Sequence, residues 1–144
     1  MALRIKLKVK AKSSNKLVET AALVKTGFET EKPQLLIPLR LAKELELWPP
    51  PPEAELVELG TAAGPVRNYV IYNALEVSAT TGDRATEPVA CDAVISHIET
   101  EALINDKLGE ALKIVILAIG SGKWKFADDP PNIMRNTETP QYWA

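Results

Sequence analysis

Histidine and cysteine are nearly absent: the 144 residues contain one of each, His97 and Cys91. One chain therefore cannot assemble a His- or Cys-rich metal site. It cannot close an internal disulfide either, which points to a reducing, cytoplasmic setting. A Ser-His-Asp or Cys-His catalyst would have to use His97, so any chemistry falls to carboxylates, lysines or backbone groups. No apolar run reaches the length of about 18 residues needed to span a membrane, and the basic stretch Met1–Lys12 lacks the unbroken apolar centre of a signal peptide. Neither charge sign dominates: Lys+Arg 17 against Asp+Glu 19 gives a net charge of -2, so overall charge does not call for a polyanionic partner. Glutamine occurs only at Gln34 and Gln141, and prolines number 11, a composition that leans towards a thermophile.

What is present fits one mainly β domain with two short helices. Hydrophobic content is 46% and charged content 25%, enough to bury a core without staples. Leu3, Ile5, Leu7, Val9 and Ala11 alternate with Arg4, Lys6, Lys8, Lys10 and Lys12. That period of two predicts a strand with one buried and one basic face, at a sheet edge that the lysines protect. A turn at 13–15 and a second strand over 16–24 complete a hairpin. The spacing further predicts a short strand over 34–37, a helix opening at Pro38 and ended by Trp48 and a stiff Pro49–Pro52 link, and β segments over 55–59, 66–79 and 87–98. The middle one is long enough to require a bend or bulge. A helix over 107–113 capped by Asp106, an apolar strand over 114–119 and a final strand through Trp124 and Phe126 follow. Residues 1–127 thus read as the β domain. Residues 128–144 read as a polar, proline-containing tail, either disordered or docked on a partner through Tyr142 and Trp143. The turns are short, which disfavours βαβ units.

One stretch stands out: Leu23-Val24-Lys25-Thr26-Gly27-Phe28-Glu29, then Leu35-Leu36-Ile37-Pro38 and a helix. An apolar strand running into a charged residue and Thr-Gly, then a strand and helix, resembles the active-site half of retropepsin-like aspartic proteases. Pro38-Leu39-Arg40-Leu41-Ala42-Lys43-Glu44-Leu45 is similar to the family's segment after the active-site loop. Gly60-Thr61-Ala62-Ala63-Gly64 falls where its flap tip would be, and Ala102-Leu103-Ile104-Asn105 resembles its apolar-apolar-Gly motif. The resemblance covers 16–128. It implies an acid-protease β-barrel, a homodimer sharing one cleft, a peptide or protein segment as ligand and no cofactor. Where the family carries its catalytic Asp, this chain has Lys25, and Asn105 replaces the later Gly. Two ammonium groups cannot share a proton to activate water as two carboxylates do. The expectation is a degenerate site at Lys25, Thr26 and Gly27, with Phe28, Glu29, the five residues Gly60–Gly64 and Asn105 contacting an extended peptide. The alternative is an active aspartic peptidase, with Asp at position 25 supplied by the native chain or by a partner.

Other features read more plainly. Glu29, Asp83, Asp92, Asp106, Asp128 and Asp129 are expected to be solvated surface acids, with a Lys25–Glu29 ion pair available. Gly120-Ser121-Gly122-Lys123 lacks phosphate-loop spacing and reads as a turn. The basic face of 4–12 could meet an anion or nucleic acid, but no aromatics interleave for base stacking, so a solvated strand is the preferred reading. Cys91 and His97 read as ordinary core or surface residues.

Overall fold

Residues 2–144 are described by a computed structural model. The opening alternation becomes β1 (Arg4–Ala11), with Ile5, Leu7, Val9 and Ala11 buried and Lys6 and Lys8 exposed. It pairs antiparallel with β2 (Leu17–Val24) as a hairpin. Its other edge pairs with β5 (Gly64–Ala79), so β1 is not the edge strand expected. Lys8 stands opposite Glu19 and Lys10 opposite Glu76, and cross-strand pairs of opposite charge balance the basic face.

Four further strands belong to the same sheet: β3 (Gln34–Pro38), β4 (Glu55–Thr61), β6 (Val89–Ser96) and β7 (Ala102–Ile104). In the order β1-β2-β7-β3-β6-β5, closed by the β1–β5 pairing, six strands form a barrel, and β4 hangs from β5 outside the ring. β2–β7 and β3–β6 are parallel, although the short turns disfavoured βαβ units. The partners are far apart in sequence, so the intervening strands make the crossover and no local βαβ unit is needed. The anticipated irregularity in the long β5 is a register shift between Ile71 and Leu75, where Asn73 adopts φ 53.

The unbroken apolar runs in β3, β6 and β7 are explained by burial on both faces. Leu35, Ile37, Ala93, Ile95, Ala102 and Ile104 point into the barrel with Ile5, Leu7, Leu75 and Phe126. Between them Leu36, Val94 and Leu103 point outward and join Val70 in a second cluster, partly covered by Leu23, Phe28, Val57 and Leu59. The loop after β2 and the β4–β5 hairpin supply that cover.

The helices are α1 (Leu39–Glu44) and α2 (Asp106–Ala111). Pro38 belongs to β3 and precedes α1 as its N-cap rather than opening its first turn. The helix stops before Trp48, at Leu45, and Glu46 takes φ 59. Asn105, not Asp106, caps α2: its side chain accepts from the Leu108 N–H at 2.9 Å.

The C-terminal third adds a second sheet of β8 (Ile114–Ala118), β9 (Lys123–Phe126) and β10 (Arg135–Asn136). β8 is apolar throughout yet only half covered, with Val115 and Leu117 exposed, as is Ile119 just after it. The 120–122 turn requires Gly122: its φ is +70, and a Cβ there would lie 2.5 Å from the Thr137 side chain. The stretch after Asp128 packs on its own chain. Trp143 Nε1 donates to Thr20 Oγ1 at 2.9 Å, and Gln141 Oε1 accepts from the Ala21 N–H at 3.1 Å. Asp129 is buried, not a surface acid. It accepts from the Phe126 N–H (2.8 Å) and pairs with Arg135 (2.9 Å) and Arg84 (3.1 Å). Arg135 beside it holds its carboxyl down at about 2, against the opposing effect of burial. Asp83 and Asp128, both exposed, extend this clasp through Arg135 and Arg84.

Candidate functional site

β2 delivers the 25–29 loop to the rim of the second apolar cluster. The Lys25 N–H donates to the Ile104 carbonyl at 3.0 Å, which continues the parallel β2–β7 pairing one residue past the strand. The chain then turns, with the Phe28 N–H donating to the Lys25 carbonyl at 3.2 Å. Gly27 makes this turn possible at φ +87, where an L side chain is strained. Nothing approaches its missing Cβ, so the turn and not close packing requires glycine. Lys25, Thr26 and Gly27 are exposed, and Phe28 is half-buried on the apolar cluster.

The loop is anchored from behind by Asn105. This fully buried side chain accepts from the Gln34 and Leu108 N–H groups, each at 2.9 Å. It donates to Thr30 Oγ1 at 2.9 Å and to the Lys32 carbonyl at 3.0 Å. All its hydrogen-bonding capacity on those four bonds is spent within the fold, so Asn105 positions the loop and does not meet a ligand, correcting its expected place among contacting residues. Its φ of -79 is ordinary rather than left-handed.

Opposite the loop stands the tip of the β4–β5 hairpin. Thr61 pairs with Gly64 across the two-residue turn Ala62-Ala63. Thr61 Oγ1 donates to the Gly64 carbonyl at 2.6 Å and accepts from the Ala63 N–H at 3.2 Å, while Gly64 takes φ +117. Loop and tip face one cleft of about 690 Å³. Lys25, Thr26, Gly27, Phe28 and Glu29 line one side, and Gly60, Thr61, Ala62 and Ala63 the other. Gly64 shapes the turn but does not line the cleft.

The floor and end wall were not singled out from the sequence as site residues. Leu36, Leu59, Val66 and Leu103 form the apolar floor; Asn68, Ser96, Ile98 and Glu99 complete the wall. Ser96 Oγ accepts from the Ile98 and Glu99 N–H groups at 3.2 and 3.0 Å, which fixes the turn leaving β6. The available signal was the failure of alternation in Leu35-Leu36-Ile37 and Ala102-Leu103-Ile104: a run apolar on both faces needs a cover on its outer side.

The cleft presents a wide apolar surface, backbone groups, one lysine and two separated glutamates. No ion pair joins Lys25 to Glu29 among the described residues. No group of three His, Cys, Asp or Glu side chains is placed among them to hold a metal ion. His97 lies outside the cleft lining and packs edge-on against Trp48, ring centroids 4.9 Å apart. Cys91 is buried in the barrel, which pushes its thiol up to about 12, so it carries no thiolate for nucleophilic work. Among the described residues no helix is long and apolar enough to cross a membrane. Neither a scan against protein-family models nor a search of curated proteins gave a match to this chain.

Proposed function

We propose that this chain is a catalytically degenerate, retropepsin-like protein that works as a homodimer and binds an extended peptide segment without hydrolysing it. One observation carries the reading: the Lys25-Thr26-Gly27 turn and the Gly60–Ala63 hairpin tip face each other across one apolar-floored cleft, with a lysine where an aspartic peptidase needs a carboxylate. β4 is the end strand of its sheet, so its outer edge offers backbone groups to an incoming strand. The apolar floor supplies pockets for alternate side chains. One chain contributes one loop and one hairpin, and a two-fold axis supplies the matching half.

The test incubates purified protein with a mixed peptide library from acid to neutral pH, with and without pepstatin, and measures its mass by light scattering. The expected result is a dimer that leaves every peptide intact. Pepstatin-sensitive cleavage by clean protein would overturn degeneracy. A strictly monomeric species that binds no peptide would remove the shared-cleft reading altogether.

A further inference from the structure

A second cavity, of about 500 Å³, shares no lining residue with the cleft. It lies where β3, β4, the β5 bulge and β6 meet, and its walls are Glu31, Lys32, Gln34, Glu55, Tyr72 and Asp92. Three carboxylates thus face one ammonium.

Two of these groups are buried in an unusual way. Asp92 is 4% exposed and accepts from the Asn73 N–H at 2.7 Å and from Gln34 Nε2 at 3.1 Å, yet no lysine or arginine pairs with it among the described residues. Gln34 is 8% exposed, and its Oε1 has no donor. A buried acceptor left unpaired costs free energy, as does a buried charge without a counter-ion. Both costs fall if a positively charged N–H donor enters the cavity.

The third wall shows what kind of cation fits. Lys32 Nζ lies 5.6 Å from the centroid of the Tyr72 ring, within the range of a cation–π contact. The Glu55 carboxylate beside Tyr72 raises the pKa of its phenol. The aromatic face, with an ammonium already beside it, favours an organic cation over a metal.

We infer that this cavity is a binding site for a primary alkylammonium group, held by Asp92, with the exposed Glu55 and Glu31 adding negative charge at its rim, the Tyr72 ring as its apolar wall and Gln34 Oε1 as an acceptor. A free alkylamine and the side chain of a peptide lysine share this chemistry. The site is independent of the peptide-cleft reading and stands or falls without it.

The test is an NMR titration of ¹⁵N-labelled protein at low ionic strength with n-butylamine, with an acetylated, amidated tripeptide carrying a central lysine, with calcium, and with n-butanol as the uncharged isostere. Both ammonium probes should shift the Asn73 backbone amide and the Gln34 side-chain amide and leave the Gly60–Ala63 amides in place. The tighter of the two identifies the source. Glu55→Gln and Tyr72→Leu change exposed side chains and should each weaken binding by about threefold to tenfold. Asp92→Asn should weaken it more, with its amide spectrum reporting whether the barrel is intact. The inference is overturned by absence of localised shifts with both amines, by equal shifts with n-butanol, by tighter binding of calcium, or by unchanged affinity in both exposed-site variants.

Discussion

The barrel has two unlike outer faces. Along β1, outward positions carry Lys6, Lys8 and Lys10, balanced by Glu19 and Glu76 on the strands beside them. Along β3, β6 and β7, the equivalent outward positions carry Leu36, Val94 and Leu103, under a cover of loop and hairpin that leaves a cleft between them. The inner faces of both regions are equally apolar and equally buried. The fold needs only the inner faces. The apolar outer face goes beyond that need, and its incomplete cover leaves a cleft where a closed second core would otherwise form.

Substitutions should separate the faces by size of effect. Ile104→Ala, inside the barrel, should cost about 4 kcal/mol, because a closed core cannot collapse onto the cavity left behind. Leu103→Ala, next in sequence but facing the cleft, should cost about 2 kcal/mol, since the partial cover above it leaves the side chain less tightly enclosed. Urea denaturation of the pair measures the difference, and equal costs would mean that the outer face is packed like the core. Asn105→Ala should cost about 2 kcal/mol, through loss of a helix cap and of bonds to the loop. Its clearest sign should be faster hydrogen exchange at Gln34 and Leu108, whose N–H groups it accepts.

Acid should loosen neither face first, but the clasp at the second sheet. The Asp129 carboxyl lies at about 2 when folded against 3.8 ordinarily. A depressed carboxylate stabilises fully above the unfolded value, and that stability drains away as pH falls from about 4 towards 2. In Asp129→Asn the stability lost over this window should be smaller than in the parent, as read by melting temperature against pH. The smallest effect belongs to the wet face: Lys8→Ala should change stability by no more than about 0.5 kcal/mol, and a larger loss would mean that the basic face is also packed.

Much of this contrast was legible in the chain. The alternation of β1, the turn at Gly27, the hairpin tip within Gly60–Gly64 and the bulge in β5 all rest on local rules of period and backbone freedom. The loop and tip were also recognisable as candidate site segments, and they do line one cleft. What local rules could not supply is pairing between distant strands. The second neighbour of β1, the parallel partners of β2 and β3, the Gln34 contact of Asp92 and the Arg84 contact of Asp129 are set by residues dozens of positions away. Asn105 illustrates the limit well. Asn and Asp are near-equal caps, so the neighbouring Asp106 was an equally good candidate until the four partners of Asn105 were brought around it. The acidic cavity is likewise invisible in sequence, because its six residues come from four separate strands and one loop.

The central claim is that the cleft binds an extended peptide and leaves it whole. The most direct measurement is an NMR titration of the labelled protein with extended apolar peptides, with each peptide's mass followed in the same tube. The account predicts shifts at the 25–29 and 60–63 amides, quiet amides along β1, and an intact peptide throughout. Peptide fragments accumulating in a pepstatin-sensitive way, or shifts confined to the basic face of β1, would contradict it.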